Sequence, residues 1–365
     1  MQPLFHIHGG DLDAIEKAYG IPKGEISDFS GNINPLGFPK EVWAEMAKHP
    51  ELASTYPDKR YTALKEAIAG YTGAKAEHVV VGNGSTELIR AFIQTADAKN
   101  SIILGPAYSE YEREITLAGG HFTYFPLKEE DGFQLQVDRL LEALTEDVGL
   151  FVACNPNNPT GTAISTADLE RIFAHCKEKQ ISVMIDETYI EFAIDPAAIC
   201  AIALTAKYDN VFVIRGISKF FAAPGLRLGY GTSSSETFLS LLAKKQDPWN
   251  VSSPAAFAGE RLFSQTEFHR QTRELILSER QKAMEELSTW KNIQAYPSFS
   301  NFILLHLLTD KITSAEIFDV LIRKKMLIRD ASTFTFLDQS YLRFCILTPE
   351  ENTAMLQELK KLVED

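Results

Sequence analysis

His78-Val79-Val80-Val81-Gly82-Asn83-Gly84-Ser85-Thr86-Glu87 reads as a short buried strand that turns through glycines into a helix, Thr86 to Thr95. The same alternation continues on the C-terminal side. Strands are expected at Ser101–Leu104, Phe122–Phe125, Val148–Cys154, Ser182–Asp186, Val211–Ile214 and Leu228–Gly231. Helices are expected at Tyr108–Leu117 and Thr166–Lys179. Short apolar strands alternating with amphipathic helices predict an α/β fold with a mainly parallel, seven-stranded sheet covered on both faces.

The pattern changes after Pro254. A helical stretch rich in Glu, Arg and Lys runs toward Lys291, followed by a strand at Phe302–Leu305, a helix near Ser314–Lys324, and strands at Met326–Arg329 and Tyr341–Leu347. Pro349 is a good first-turn residue for a last helix. This second unit is a small α+β domain. The segment before Pro50 has no sheet partner of its own and is expected to pack on it. The expected division is residues 1–49 as an N-terminal arm and part of the small domain, 50–265 as the large domain, and 266–365 as the C-terminal small domain.

Composition narrows the function classes. The chain has 365 residues, 45% apolar and 23% charged, as in ordinary globular proteins. Its net charge of −13 repels phosphate backbones and anionic lipid, so nucleic acid and membrane are not expected partners. Cys154, Cys176, Cys200 and Cys345 form no CxxC pair, so no metal site or disulfide framework is expected. No basic region precedes an apolar stretch at Met1–Gly10, and no apolar run reaches membrane-span length, so the expected location is cytoplasmic.

Four stretches carry chemistry. Ser218-Lys219 opens an apolar run that closes on Pro224-Gly225-Leu226-Arg227. Desolvation there disfavours an ammonium and makes Lys219 a usable nucleophile, while Arg227 can return through the turn to hold an anion. Asp186 ends a buried strand, where open α/β sheets bind ligands, with Tyr189 three residues on; alone, the acid reads equally as a helix N-cap. Cys154-Asn155-Pro156-Asn157-Asn158-Pro159-Thr160-Gly161 fixes a turn after another strand and can point Asn158 into a cleft. Gly84, Ser85 and Thr86 at a helix N-terminus suit a phosphate, although the glycine spacing fits neither GxxxxGK[ST] nor GxGxxG.

Together these ask for one ligand with an aldehyde for Lys219, a phosphate for the Gly84 turn and Arg227, a ring nitrogen for Asp186, and a ring hydroxyl for Asn158 and Tyr189. Pyridoxal phosphate has all four. With these residues in this order the sequence resembles the fold-type I pyridoxal-phosphate enzymes, class I/II aminotransferase branch. The resemblance implies that Lys219, Asp186 and Tyr189 are catalytic, that Ser85, Thr86 and Ser218 join the phosphate shell, and that Tyr108 stacks on the cofactor ring. One position departs from that family: three residues before the lysine, where a Ser or Thr bonds the phosphate, stands Gly216.

The ends of the chain narrow the resemblance. His8-Gly9-Gly10, Asp28 to Gly37 with Asn32, Tyr56-Pro57-Asp58, Asp247 to Val251, and the late arginines Arg329 and Arg343 are together similar to the threonine-phosphate decarboxylases of cobalamin biosynthesis. Histidinol-phosphate aminotransferases are close relatives of that family and the alternative. The resemblance implies a small phosphorylated amino-acid substrate held by His8, Gly9, Asn32, Tyr56, Arg329 and Arg343, with Tyr56 supplied across a homodimer interface. Alone, His8 reads equally as a solvated side chain. The same residues serve loss of carbon dioxide and transamination.

Overall fold

The computed structural model describes residues 9–96 and 98–364. Strands β1 (Val79–Asn83), β2 (Asn100–Gly105), β3 (His121–Pro126), β4 (Leu150–Cys154), β5 (Ser182–Asp186), β6 (Val211–Gly216) and β7 (Leu228–Thr232) form one sheet in the order β1-β7-β6-β5-β4-β2-β3. The central strands are buried on both faces, which is why they read as continuous apolar runs. Strand β7 runs against both its neighbours. Its connection from β6, Ile217–Arg227, contains no α-helix and is too short for a parallel crossover. Helices Gly84–Ile93, Glu110–Leu117 and Thr166–Glu178 cover the sheet; Phe92 of the first stacks on Phe212 of β6 at 5.2 Å.

A second, antiparallel sheet has β8 (Ile293–Ala295), β9 (Phe302–Leu307), β10 (Arg329–Asp330) and β11 (Tyr341–Cys345) in the order β10-β11-β9-β8. Helices Ser314–Arg323 and Pro349–Val363 each start with a capping box, Thr313 with Glu316 and Thr348 with Glu351.

Three readings of the sequence change here. The stretch from Pro254 to Lys291 is two helices, Ser253–Leu262 and Thr266–Leu287, because Phe263 turns inward onto Tyr71, Phe221 and Tyr230. The strand expected at Met326–Arg329 divides at the buried Ile328: Met326–Leu327 pairs with Ser27–Asp28, and Arg329–Asp330 pairs with β11. The N-terminal segment therefore does have a sheet partner, borrowed from the far end of the chain. Phe29 continues the contact by accepting a hydrogen bond from the Cys345 N–H at 2.8 Å.

Candidate active site

A cavity of about 570 Å³ lies at the C-terminal ends of the parallel strands, where the second sheet and the N-terminal segment close over them. It is lined by Gly9, Asn32, Ser85, Thr86, Tyr108, Asn158, Asp186, Tyr189, Ser218, Lys219, Arg227, Arg329 and Arg343, all singled out from sequence. His8 lies outside the described residues. Tyr56 is not brought to the cavity: it is 79% exposed and packs against Trp249 at 4.5 Å. Gly84 stands behind the lining. It has φ +75°, and a Cβ there would lie 2.3 Å from Nη2 of Arg227, so its bareness makes room for the chain's own guanidinium.

Strand β5 delivers Asp186, opposite Cys154 of β4 and Ile214 of β6. Its Oδ1 accepts the Thr188 N–H at 2.9 Å and the Thr188 hydroxyl at 2.5 Å, and its Oδ2 accepts the Tyr111 hydroxyl at 2.8 Å. Burial pushes the carboxyl up; those bonds and the nearby Lys219 charge pull it back. A cationic group beside it would supply the remaining compensation. Tyr111 and Thr188 were not found from sequence. Their signals were the helical spacing Tyr108-x-x-Tyr111 and the short turn Asp186-Glu187-Thr188, both weak without the fold. Beneath this loop the buried Arg215 donates to Glu187 at 2.9 and 2.7 Å, and burial pushes Glu191 up to about 7.

Lys219 follows β6. Its Nζ donates to the Gly31 carbonyl at 2.7 Å. Burial, and secondly the charge of Arg343, bring its amine down to about 8. The turn that carries this carbonyl is held by Asp28, whose Oδ1 accepts the Ser30 N–H, the Ser30 hydroxyl and the Gly31 N–H. Ser30 presents its carbonyl to Nη2 of Arg343 at 2.8 Å, and Nη1 of Arg343 donates to Asn158 Oδ1. Asn32 donates from Nδ2 to the Tyr189 hydroxyl at 3.2 Å. Its Oδ1 and Nε of Arg343 are buried without a partner. Tyr108 meets Tyr111 edge-on at 5.7 Å, and burial pushes its hydroxyl up to about 12.

Arg329 and Arg343 are direct cross-strand partners, so both side chains leave the same face of the second sheet. Burial and the charge of Arg343 bring Arg329 down to about 10. Like charges placed opposite each other repel; anions in the cavity would relieve that.

A weakly basic lysine, a buried carboxylate, and a helix N-terminus flanked by hydroxyls and Arg227 fit an aldehyde, a ring nitrogen and a phosphate respectively. The fold and this donor set define a pyridoxal-phosphate enzyme of fold-type I. Residues 25–359 match the model of the family described as aminotransferase class I and II, and the chain belongs to that family. It is 31% identical to a threonine-phosphate decarboxylase of Salmonella typhimurium over 98% of this chain and 96% of that one. It is 38% identical, over 92% of this chain and 89% of the other, to a Caldanaerobacter subterraneus protein for which the same activity is proposed. Among solved structures, the histidinol-phosphate aminotransferase of Clostridium acetobutylicum superposes with a TM-score of 0.86 at 30% identity, covering 92% of this chain and 98% of that one.

Proposed function

We propose that the protein decarboxylates a phosphorylated hydroxy-amino acid, converting L-threonine O-3-phosphate to (R)-1-aminopropan-2-yl phosphate and carbon dioxide in cobalamin biosynthesis. The observation that carries this reading is the cross-strand pair Arg329 and Arg343 at the end of the cavity that holds Lys219. Two planar guanidiniums suit the carboxylate and the phosphate of such a substrate. The identity to threonine-phosphate decarboxylases supports it.

When bound, pyridoxal phosphate supplies the electron sink that lets a bond at the substrate's Cα break. In this reading Lys219 would hold the cofactor aldehyde through its amine and would deliver to Cα the proton that replaces the departing carboxylate. Asp186 holds a proton at the ring nitrogen, with Tyr111 and Thr188 fixing the carboxylate. Asn158 and Tyr189 bind the ring hydroxyl, and Tyr108 covers the ring face. Ser85, Thr86, Ser218 and Arg227, with the turn at Gly84, hold the cofactor phosphate. Gly9, Asn32, Arg329 and Arg343 would orient the substrate so that its Cα–carboxylate bond is the one that breaks, and His8 is assigned to the same end. The exposure of Tyr56 supports its entry into the site of a second copy in a homodimer. Residues 50–265 would form the cofactor-binding domain and 266–365, with 1–49, the smaller one. No helix among the described residues is long and apolar enough to cross a membrane, and we place the reaction in the cytoplasm.

The likeness to the Clostridium aminotransferase keeps transamination of histidinol phosphate as the second reading. There the arginine pair would meet the two carboxylates of a 2-oxo acid in the second half-reaction. One assay separates the two. The decarboxylase releases carbon dioxide from threonine phosphate with no 2-oxo acid present. Glutamate formation from histidinol phosphate and 2-oxoglutarate, without carbon dioxide from threonine or serine phosphate, would establish the aminotransferase instead.

A further inference from the structure

Phe334 packs against both cavity arginines. Its ring centroid lies 5.3 Å from the guanidinium carbon of Arg329 and 5.9 Å from that of Arg343. Arg343 has a second ring, Phe302, at 5.0 Å. The faces of these rings are electronegative, so one shared ring attracts both cations. Next to it, Thr333 accepts a hydrogen bond from Nη2 of Arg329 at 2.7 Å. Both residues belong to the turn after β10. That turn is fixed: Phe334 N–H donates to the Ala331 carbonyl, Leu337 N–H donates to the Phe334 carbonyl, and Asp330 Oδ1 accepts the Ser332 N–H and the Ser314 hydroxyl. Thr333, Phe334 and both arginines line the cavity.

We propose that Phe334 is a specificity-determining residue that divides the anion end of the cavity into two subsites, one per arginine, and so selects substrates with two separate anionic groups. The proposal rests on the reading of Arg329 and Arg343 as anion sites. The inner subsite is Arg343, held beside Lys219 by Asn158 and the Ser30 carbonyl. The outer subsite is Arg329 with Thr333. Without the ring, both guanidiniums are free to converge on a single oxyanion. A single anion should then bind more tightly and a two-anion substrate more weakly. Mere loosening of the fold would weaken both.

The probes are inorganic phosphate and acetate, titrated into cofactor-loaded protein and read by the absorbance of the bound cofactor, so that turnover is not needed. In the native protein the two anions should bind together, each affinity unaffected by saturation with the other. In Phe334→Ala they should compete, phosphate should bind about tenfold more tightly, and KM for threonine phosphate should rise about tenfold with kcat little changed. Phe334→Tyr should restore native behaviour, and Phe334→Leu provides a milder truncation if the alanine variant does not fold. Competition between phosphate and acetate in the native protein, or independent binding retained in both truncated variants, would overturn the proposal. If threonine phosphate is not turned over at all, the decarboxylase reading fails while the anion titrations still decide the role of Phe334.

Discussion

Asp186 and Arg343 are both buried charges in one cavity, and their surroundings are opposite. Asp186 is met by three donors from its own loop and the neighbouring helix. Arg343 faces another arginine across the sheet, and its Nε has no partner. A buried charge without full compensation is costly. In the proposed reading, the cofactor side of the cavity is thus largely made ready by the protein, while the substrate side is left short of negative charge. The first arrangement suits a resident group and the second a group that comes and goes. Lys219 lies between them, bonded to the Gly31 carbonyl and with its basicity lowered partly by Arg343.

Removing the residue common to both sides should have the largest effect. Lys219→Ala is expected to lose at least about 10³-fold in turnover. Borohydride should no longer fix cofactor to the chain; cofactor reduced onto another lysine would break the assignment.

Arg343→Ala acts first on the substrate side. It should keep the cofactor and lose about 2–5 kcal/mol of transition-state binding, roughly 30- to several-thousand-fold in kcat/KM. It should also change the pH dependence of cofactor uptake by the apoprotein. The amine must be neutral to capture an aldehyde, so uptake should rise as pH passes about 8. Arg343 is a cation that disfavours the protonated amine, so its removal should raise the lysine's basicity and move the rise to higher pH. An unchanged uptake profile would mean that the two sides are not electrostatically coupled.

The smallest effect is expected on the cofactor side. A Cβ at Gly216 would meet the Ser85 side chain at 3.7 Å, an ordinary contact, so a side chain fits there. Gly216→Ser should therefore fold normally. With one added bond to a charged phosphate, worth about 1.5 kcal/mol, it should hold cofactor about tenfold more tightly by equilibrium dialysis. Unchanged affinity would indicate that the hydroxyls of Ser85, Thr86 and Ser218 already saturate the phosphate.

The same contrast explains what the sequence revealed. Asp186, Asn158, Lys219 and the Gly84 turn sit at the ends of strands with a strong apolar signal, and each carries a short local pattern. The antiparallel course of β7 was hidden because a strand's composition does not report its direction. The division at Ile328 was hidden because its two halves pair with strands about 300 residues apart in one case and adjacent in the other. Phe334 and Tyr111 were passed over because an aromatic beside an arginine or an aspartate is a contact made by the fold. Only the helical spacing Tyr108-x-x-Tyr111 hints at one of them.

The contacts between the N-terminal segment and the last strand also have a consequence for how the protein is made. Ser30 and its bonding partner Arg343 are 313 residues apart. At about 5–20 residues per second, a ribosome needs roughly 15–60 s between them. Through most of that interval the Ser30–Gly31 turn has no C-terminal strand to hold it, because Arg343 is not yet synthesised. Ribosome-bound chains stalled before Tyr341 should accordingly not bind threonine phosphate, whereas released chains should. Translation then acts as a timer: the parallel sheet can form early, but the chamber built on it closes only once Tyr341–Cys345 has been made.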